Sequence, residues 1–139
     1  MNISKWFSNN IKKIGFEDIK IAIHNRQTII INTLLSSEQS CLIKNTADIQ
    51  EEEKIINDLL DNYKMKKIHI IVYGKNNTDD TAEKKYQQLI DLGFSNVYLY
   101  YGGLFEWLLL QDIYGETEFP TTKKVLDILK YKPGLSLFI

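Results

Sequence analysis

A chain of 139 residues, 44% apolar and 25% charged, has the size and composition of one globular domain, and 12% aromatic content argues against disorder. Its 17 basic and 18 acidic side chains are spread along the whole length and leave a net charge of -1, so neither a phosphate backbone nor an anionic membrane finds an electrostatic footprint. The uncharged run around Leu108-Leu109-Leu110 is too short to span a bilayer, the N-terminus lacks a signal-peptide core, and a lone cysteine, Cys41, excludes an intramolecular disulfide.

These features describe a cytoplasmic protein with neither nucleic acid nor membrane as partner. His24 and His69 match no ligand spacing, and neither a metal nor a cofactor is expected. The abundance of Ile, Lys and Asn is the bias of an AT-rich genome and bears on origin, a virus included, more than on function.

In chain order, Phe16, Ile19 and Ile23 recur at helical spacing behind the dipole-friendly Glu17 and Asp18, which predicts a short helix over residues 16–23. Thr28-Ile29-Ile30-Ile31-Asn32-Thr33 is β-branched without polar alternation, the pattern of a strand buried on both faces. Cys41-Leu42-Ile43 is assigned as a short strand. Asp48 is expected to cap a helix whose apolar face is Ile49, Ile55, Ile56, Leu59 and Leu60 and which ends near Asn62. Lys67-Ile68-His69-Ile70-Ile71-Val72-Tyr73 is the clearest strand, and a polar loop, Gly74-Lys75-Asn76-Asn77-Thr78-Asp79-Asp80, leads from it into a helix that stops at Gly93.

Val97-Tyr98-Leu99-Tyr100-Tyr101 resumes as a strand, and Gly102-Gly103 opens a helix from Leu104 to about Ile113. Thr121 or Thr122 can cap a last helix carrying Val125, Leu126, Ile128 and Leu129, ended by Pro133-Gly134. Alternating strands and helices imply an α/β fold, three layers with a mostly parallel sheet and right-handed crossovers.

The order Ile70-Ile71-Val72-Tyr73-Gly74, polar loop, helix closing on Leu92-Gly93-Phe94, strand, then Gly102-Gly103-Leu104-Phe105-Glu106-Trp107 closely resembles the C-terminal half of rhodanese-like domains. The helix at residues 16–23 and the strand at Ile29 match the family's opening more loosely, and its Asp-Val-Arg strand end reads Asn32-Thr33-Leu34 here. The resemblance covers residues 14–115, leaving residues 1–13 as an extension and residues 116–139 as a helix and tail packed on the same domain.

In that family the strand delivers a cysteine to the loop, whose N–H groups at the start of the next helix lower the thiol pKa and cradle a persulfide. The matching position is Gly74, which has no side chain to react, and the loop carries Asp79 and Asp80 where the family has basic or hydroxyl residues. The resemblance therefore implies a fold without its sulfurtransferase chemistry. It leaves a binding, regulatory or scaffolding module for an unidentified protein partner, with the loop as contact feature.

Competing readings are bland for most residues and chemical for a few. Cys41 is the one replacement nucleophile, for a sulfurtransferase that has moved its sulfur, but no base stands near it in sequence. His24 at a helix end and His69 in a strand expected to be buried read as structural. Asp79 and Asp80 suit helix capping at least as well as a divalent ion for a metal-dependent hydrolase. Leu104 and Trp107 read as core, as do Tyr98, Tyr100 and Tyr101 in their strand. Trp6-Phe7 and Leu135-Ser136-Leu137-Phe138-Ile139 are apolar chain ends that need a surface to cover, on this domain or by self-association in a larger assembly such as a virion.

Overall fold

The computed structural model describes residues 10–134. Four parallel strands form one sheet in the order β1-β4-β3-β2: β1 (Lys13–Ile14), β2 (Thr28–Asn32), β3 (His69–Tyr73) and β4 (Val97–Tyr100). Helix α1 (Phe16–Ala22) links β1 to β2, α2 (Glu52–Asp61) links β2 to β3, α3 (Thr81–Asp91) links β3 to β4, and α4 (Gly103–Tyr114) follows β4.

Chain direction and handedness fix the layers. The step from β1 to β2 crosses the sheet one way and the steps from β2 through β3 to β4 return, so right-handed crossovers must put α1 on one face and α2 and α3 on the other. The period of two in each strand then divides the core. Ile30, Ile71, Tyr73 and Tyr100 meet Ile19 and Ala22 of α1 and Leu104, Trp107 and Leu108 of α4. Ile31, Ile70, Val72, Val97 and Leu99 meet Ile56 and Leu59 of α2 and Ala82, Tyr86 and Leu89 of α3. β2 and β3 carry apolar side chains on both faces because both faces are covered.

Several expectations are corrected. Residues 41–43 form no strand: Ile43 makes an isolated bridge to Thr121, because the partner available to it is a single residue. α2 begins at Glu52, later than Asp48, whose carboxylate instead accepts the Gln50 amide at 2.8 Å in a local turn. No α-helix follows Pro120 among the described residues; the segment is irregular, with bends at Thr122, Lys123 and Leu126, and leads into a 3-10 turn, Ile128–Tyr131, with Leu126 90% exposed. Anchors spaced along the segment explain this: Phe119 and Tyr131 are buried, and Pro120 and Lys123 carbonyls accept hydrogen bonds from the domain. β1 was not expected, since two residues carry no periodicity and are strand only by pairing with β4.

His69 is exposed rather than buried, at the first position of β3, with its ring stacked on Tyr98 at 5.9 Å. His24 is exposed beyond α1. Of the three tyrosines, Tyr100 is core, Tyr98 is half-buried and Tyr101 is 42% exposed. Trp6-Phe7 and residues 135–139 lie outside the described residues.

Candidate functional site

In an open parallel sheet, ligands bind at the carboxyl ends of neighbouring strands whose following helices go to opposite faces. Here that switch lies between β3, which leads to α3, and β4, which leads to α4. The Gly74–Asp80 loop and the Gly102-Gly103 pair meet at this point.

They meet closely enough to close the crevice. Gly103 has φ +70°, and a Cβ there would stand 2.9 Å from both Asn76 N and Gly74 O. Beyond it the Leu104 amide donates to Gly74 O at 3.0 Å and the Phe105 amide to Lys75 O at 2.9 Å, so the first amides of α4 are satisfied by the loop. Gly102 has a different reason: a Cβ would fall on the carboxyl of Glu106, which folds back over the helix start and accepts the Tyr100 hydroxyl at 2.7 Å. Burial first, then this contact, pushes the Tyr100 phenol far up. Trp107 is buried, edge-on to Phe119 at 5.0 Å, and donates its indole N–H to Pro120 O at 3.1 Å. Leu104 is fully buried beside it.

The loop's own side chains occupy the Lys75, Thr78 and Thr81 amides. The Asp79 carboxylate accepts the Lys75 amide through Oδ2 at 3.1 Å, and through Oδ1 the Thr81 amide at 3.1 Å and hydroxyl at 2.7 Å. Burial pushes this carboxyl up, but hydrogen bonds from Thr81 and Lys75, with the Lys75 charge, outweigh burial and hold it below the usual aspartate value. Asn76, also buried, accepts the Thr78 amide at 3.0 Å and hydroxyl at 2.7 Å, and donates to Tyr131 O at 2.9 Å and Lys132 O at 3.1 Å. It thereby ties the C-terminal segment across the loop. Lys75 pairs with Glu38 at 2.8 Å. Only Asn77, Thr78 and Asp80 of the loop are exposed, and Asp80 pairs with Lys84 on the surface without capping α3.

Gly74 is buried at the centre of this arrangement. A Cβ there would lie 3.0 Å from Asp79 Oδ2, 3.2 Å from Thr33 Oγ1 and 3.3 Å from Ala82 Cβ. Thr33 and Thr81 join hydroxyls across it at 2.8 Å. Neither threonine was singled out from sequence. Thr33 directly follows β2, the strand beside β3, and Thr81 opens α3, and those positions were the available signal. Asn32 is buried and paired with Gln39, whose Nε2 donates to Asn32 Oδ1 at 2.8 Å. An open cavity of about 480 Å³ adjoins the loop on the α2–α3 side, between Thr33, Leu34, Glu52, Thr81 and Lys85, with Lys85 and Glu52 joined at 2.5 Å across it.

Cys41 stands apart from the loop. It is fully buried, its thiol donates to Lys123 O at 3.1 Å, and burial pushes its pKa up despite the lowering influence of Thr121 and Lys130. No cluster of three or more metal-ligating His, Cys, Asp or Glu side chains occurs among the described residues. No described helix is long and apolar enough to cross a membrane.

A parallel sheet covered on both faces, with the β3 loop locked against a Gly-Gly helix start, defines the fold class of rhodanese-like domains. The family model for the Rhodanese-like domain matches residues 17–110, and the chain belongs to that family. Solved structures agree on the fold. A yeast protein tyrosine phosphatase of the Rhodanese family, Ygr203w, is 13% identical with a TM-score of 0.60, covering 86% of this chain and 96% of its own. The Alr3790 protein from Anabaena sp. is 18% identical at 0.57, over 84% and 97%. The As-Sb reductase from Leishmania major is 18% identical at 0.54, over 77% and 81%. No curated protein sequence matches the chain.

Proposed function

We propose that this rhodanese-like domain is non-catalytic and acts as a binding, regulatory or scaffolding module for another protein. The observation that carries this reading is the Asp79 carboxylate bonded to the Lys75 amide and to Thr81 beside a glycine at position 74. A carboxylate already accepting those donors leaves them unavailable to an oxyanion and repels one, and glycine supplies no nucleophile. The geometry of Cys41 disfavours the sulfurtransferase alternative, because a buried thiol with a raised pKa is neither accessible nor ionised. What remains for a partner at this end of the domain is the exposed tip at Asn77, Thr78 and Asp80, together with Leu35, 68% exposed in the chain segment leaving β2.

Two experiments test the reading. Thiosulfate sulfur transfer, phosphate-ester hydrolysis and arsenate reduction are assayed on the wild type, Cys41→Ser, Gly74→Cys and Gly74→Cys/Asp79→Ala. The first three are expected to be silent, and the double variant, which frees the loop amides around a new thiol, to gain turnover. Wild-type activity abolished by Cys41→Ser would overturn the proposal. Photocrosslinking from Asn77, with the distant and 85% exposed Tyr63 as control, tests the contact surface in extract of the native cell. An adduct specific to Asn77 is expected. Adducts from Tyr63 alone would place the partner elsewhere.

A further inference from the structure

We propose that the groove between α1 and the amino ends of β2, β3 and β4 seats a second copy of this chain, with the two α1 helices packed antiparallel about a twofold axis. The proposal concerns the opposite end of the sheet from the loop and does not depend on the loop's chemistry.

α1 has seven residues and covers only part of its sheet face, leaving an open groove of about 420 Å³. Its floor is apolar, from Ile71, Ala22, Ile14 and Tyr98. Ile21, on the rim, is 67% exposed. A twofold interface must be complementary to itself, since each copy presents the same patch. This patch holds an apolar knob beside an apolar hollow, so two copies can exchange them.

Charge selects the antiparallel arrangement. Glu17 and Asp18 open α1, and Arg26 lies just past its end, all three exposed. Antiparallel helices set the acidic start of one against the basic end of the other and oppose their dipoles, whereas parallel helices set like against like. The sequence midpoint between Asp18 and Arg26 is Ala22, next to Ile21, so one axis serves both the apolar and the charged contacts. A second hollow of about 340 Å³, lined by Ala22, Asn25, Arg26 and Asn45, continues the groove beneath the place where the other helix would run.

Sedimentation equilibrium on the full chain is expected to show a concentration-dependent dimer. Ile21→Glu should raise its dissociation constant at least about tenfold. Asp18→Arg should weaken it and Asp18→Arg/Arg26→Asp should restore it, a reversal that a merely local effect on folding would not produce. The three side chains are exposed, so thermal melts of the variants should stay close to wild type. A chain that remains monomeric at millimolar concentration would overturn the proposal. So would a dimer indifferent to Ile21→Glu, including one lost only when residues 135–139 are removed.

Discussion

Replacing Gly103 with alanine tests the central packing claim, that the start of α4 is pressed against the β3 loop. Two costs are expected. A non-glycine residue at φ +70° costs about 1–2 kcal/mol, and a methyl group forced against packed neighbours costs about 1–3 kcal/mol. The neighbours are Asn76 N, Gly74 O and Asn76 Cα, at 2.9 to 3.0 Å, which are backbone atoms that cannot swing aside as a side chain can, and Gly74 O is held further by the Leu104 amide. The sum is about 2–5 kcal/mol, or a fall in Tm on the order of 10 °C for a domain of this size.

Gly115 provides the internal control. It has φ +98° and ψ 163°, a region nearly restricted to glycine, but nothing within 4 Å of its Cβ position, so Gly115→Ala should cost only the conformational part, about 1–3 kcal/mol. Gly102→Ala meets only the mobile Glu106 carboxyl in ordinary helical geometry, and should cost about 1 kcal/mol as the Tyr100 contact is lost. Urea titrations with a common m-value read all three. A loss for Gly103→Ala no larger than about 1–2 kcal/mol, the conformational cost of a left-handed residue in open space, would show that the close approach contributes nothing and would refute the reasoning.

Tyr73→Phe should cost about 2 kcal/mol in the same titration, because the Tyr73 hydroxyl accepts the buried Ile43 amide at 3.1 Å and pairs with Thr46 at 2.8 Å, and its loss orphans that amide. Asn76→Ala should loosen the C-terminal segment, read as faster amide exchange over residues 128–134 with β3 still protected; unchanged exchange there would mean that the Tyr131 and Lys132 contacts do not tie it down. The Asp79 carboxyl has a depressed folded pKa, so its ionised form stabilises the fold above the unfolded value, near 3.9, and that contribution fades as pH falls through the lower folded value. The stability difference between wild type and Asp79→Asn should accordingly stay level at neutral pH and shrink in acid; a difference independent of pH would show that the carboxylate charge has no part.

How much of this was legible in the sequence depends on whether a signal is local. Ile29 to Ile31 and Ile70 to Val72 are apolar without alternation, a pattern that only strands covered on both faces can satisfy, so β2, β3 and the three layers follow from the chain itself. The polar loop after Tyr73 and the Gly-Gly-Leu-x-x-Trp spacing likewise placed the candidate site and its glycine. The sequence did not reveal β1, because two residues are strand only when β4 lies alongside.

Residues 121–131 hold apolar side chains at helical spacing yet form no α-helix, because the anchors that hold them, among them Thr121 to Gln111 and Tyr131 O to Asn76, belong to distant parts of the chain. His69 was expected to be buried from its apolar neighbours, but it starts its strand where α1 has already ended, and only the length of α1 relative to the sheet decides that. The state of the loop was decided the same way. The sequence by itself determined that a glycine and two aspartates stand at the end of β3. The tertiary structure alone decided that Asp79 turns inward onto Lys75 and Thr81 while Asp80 turns out to Lys84, because that choice rests on amides converging from the loop and from the start of α3.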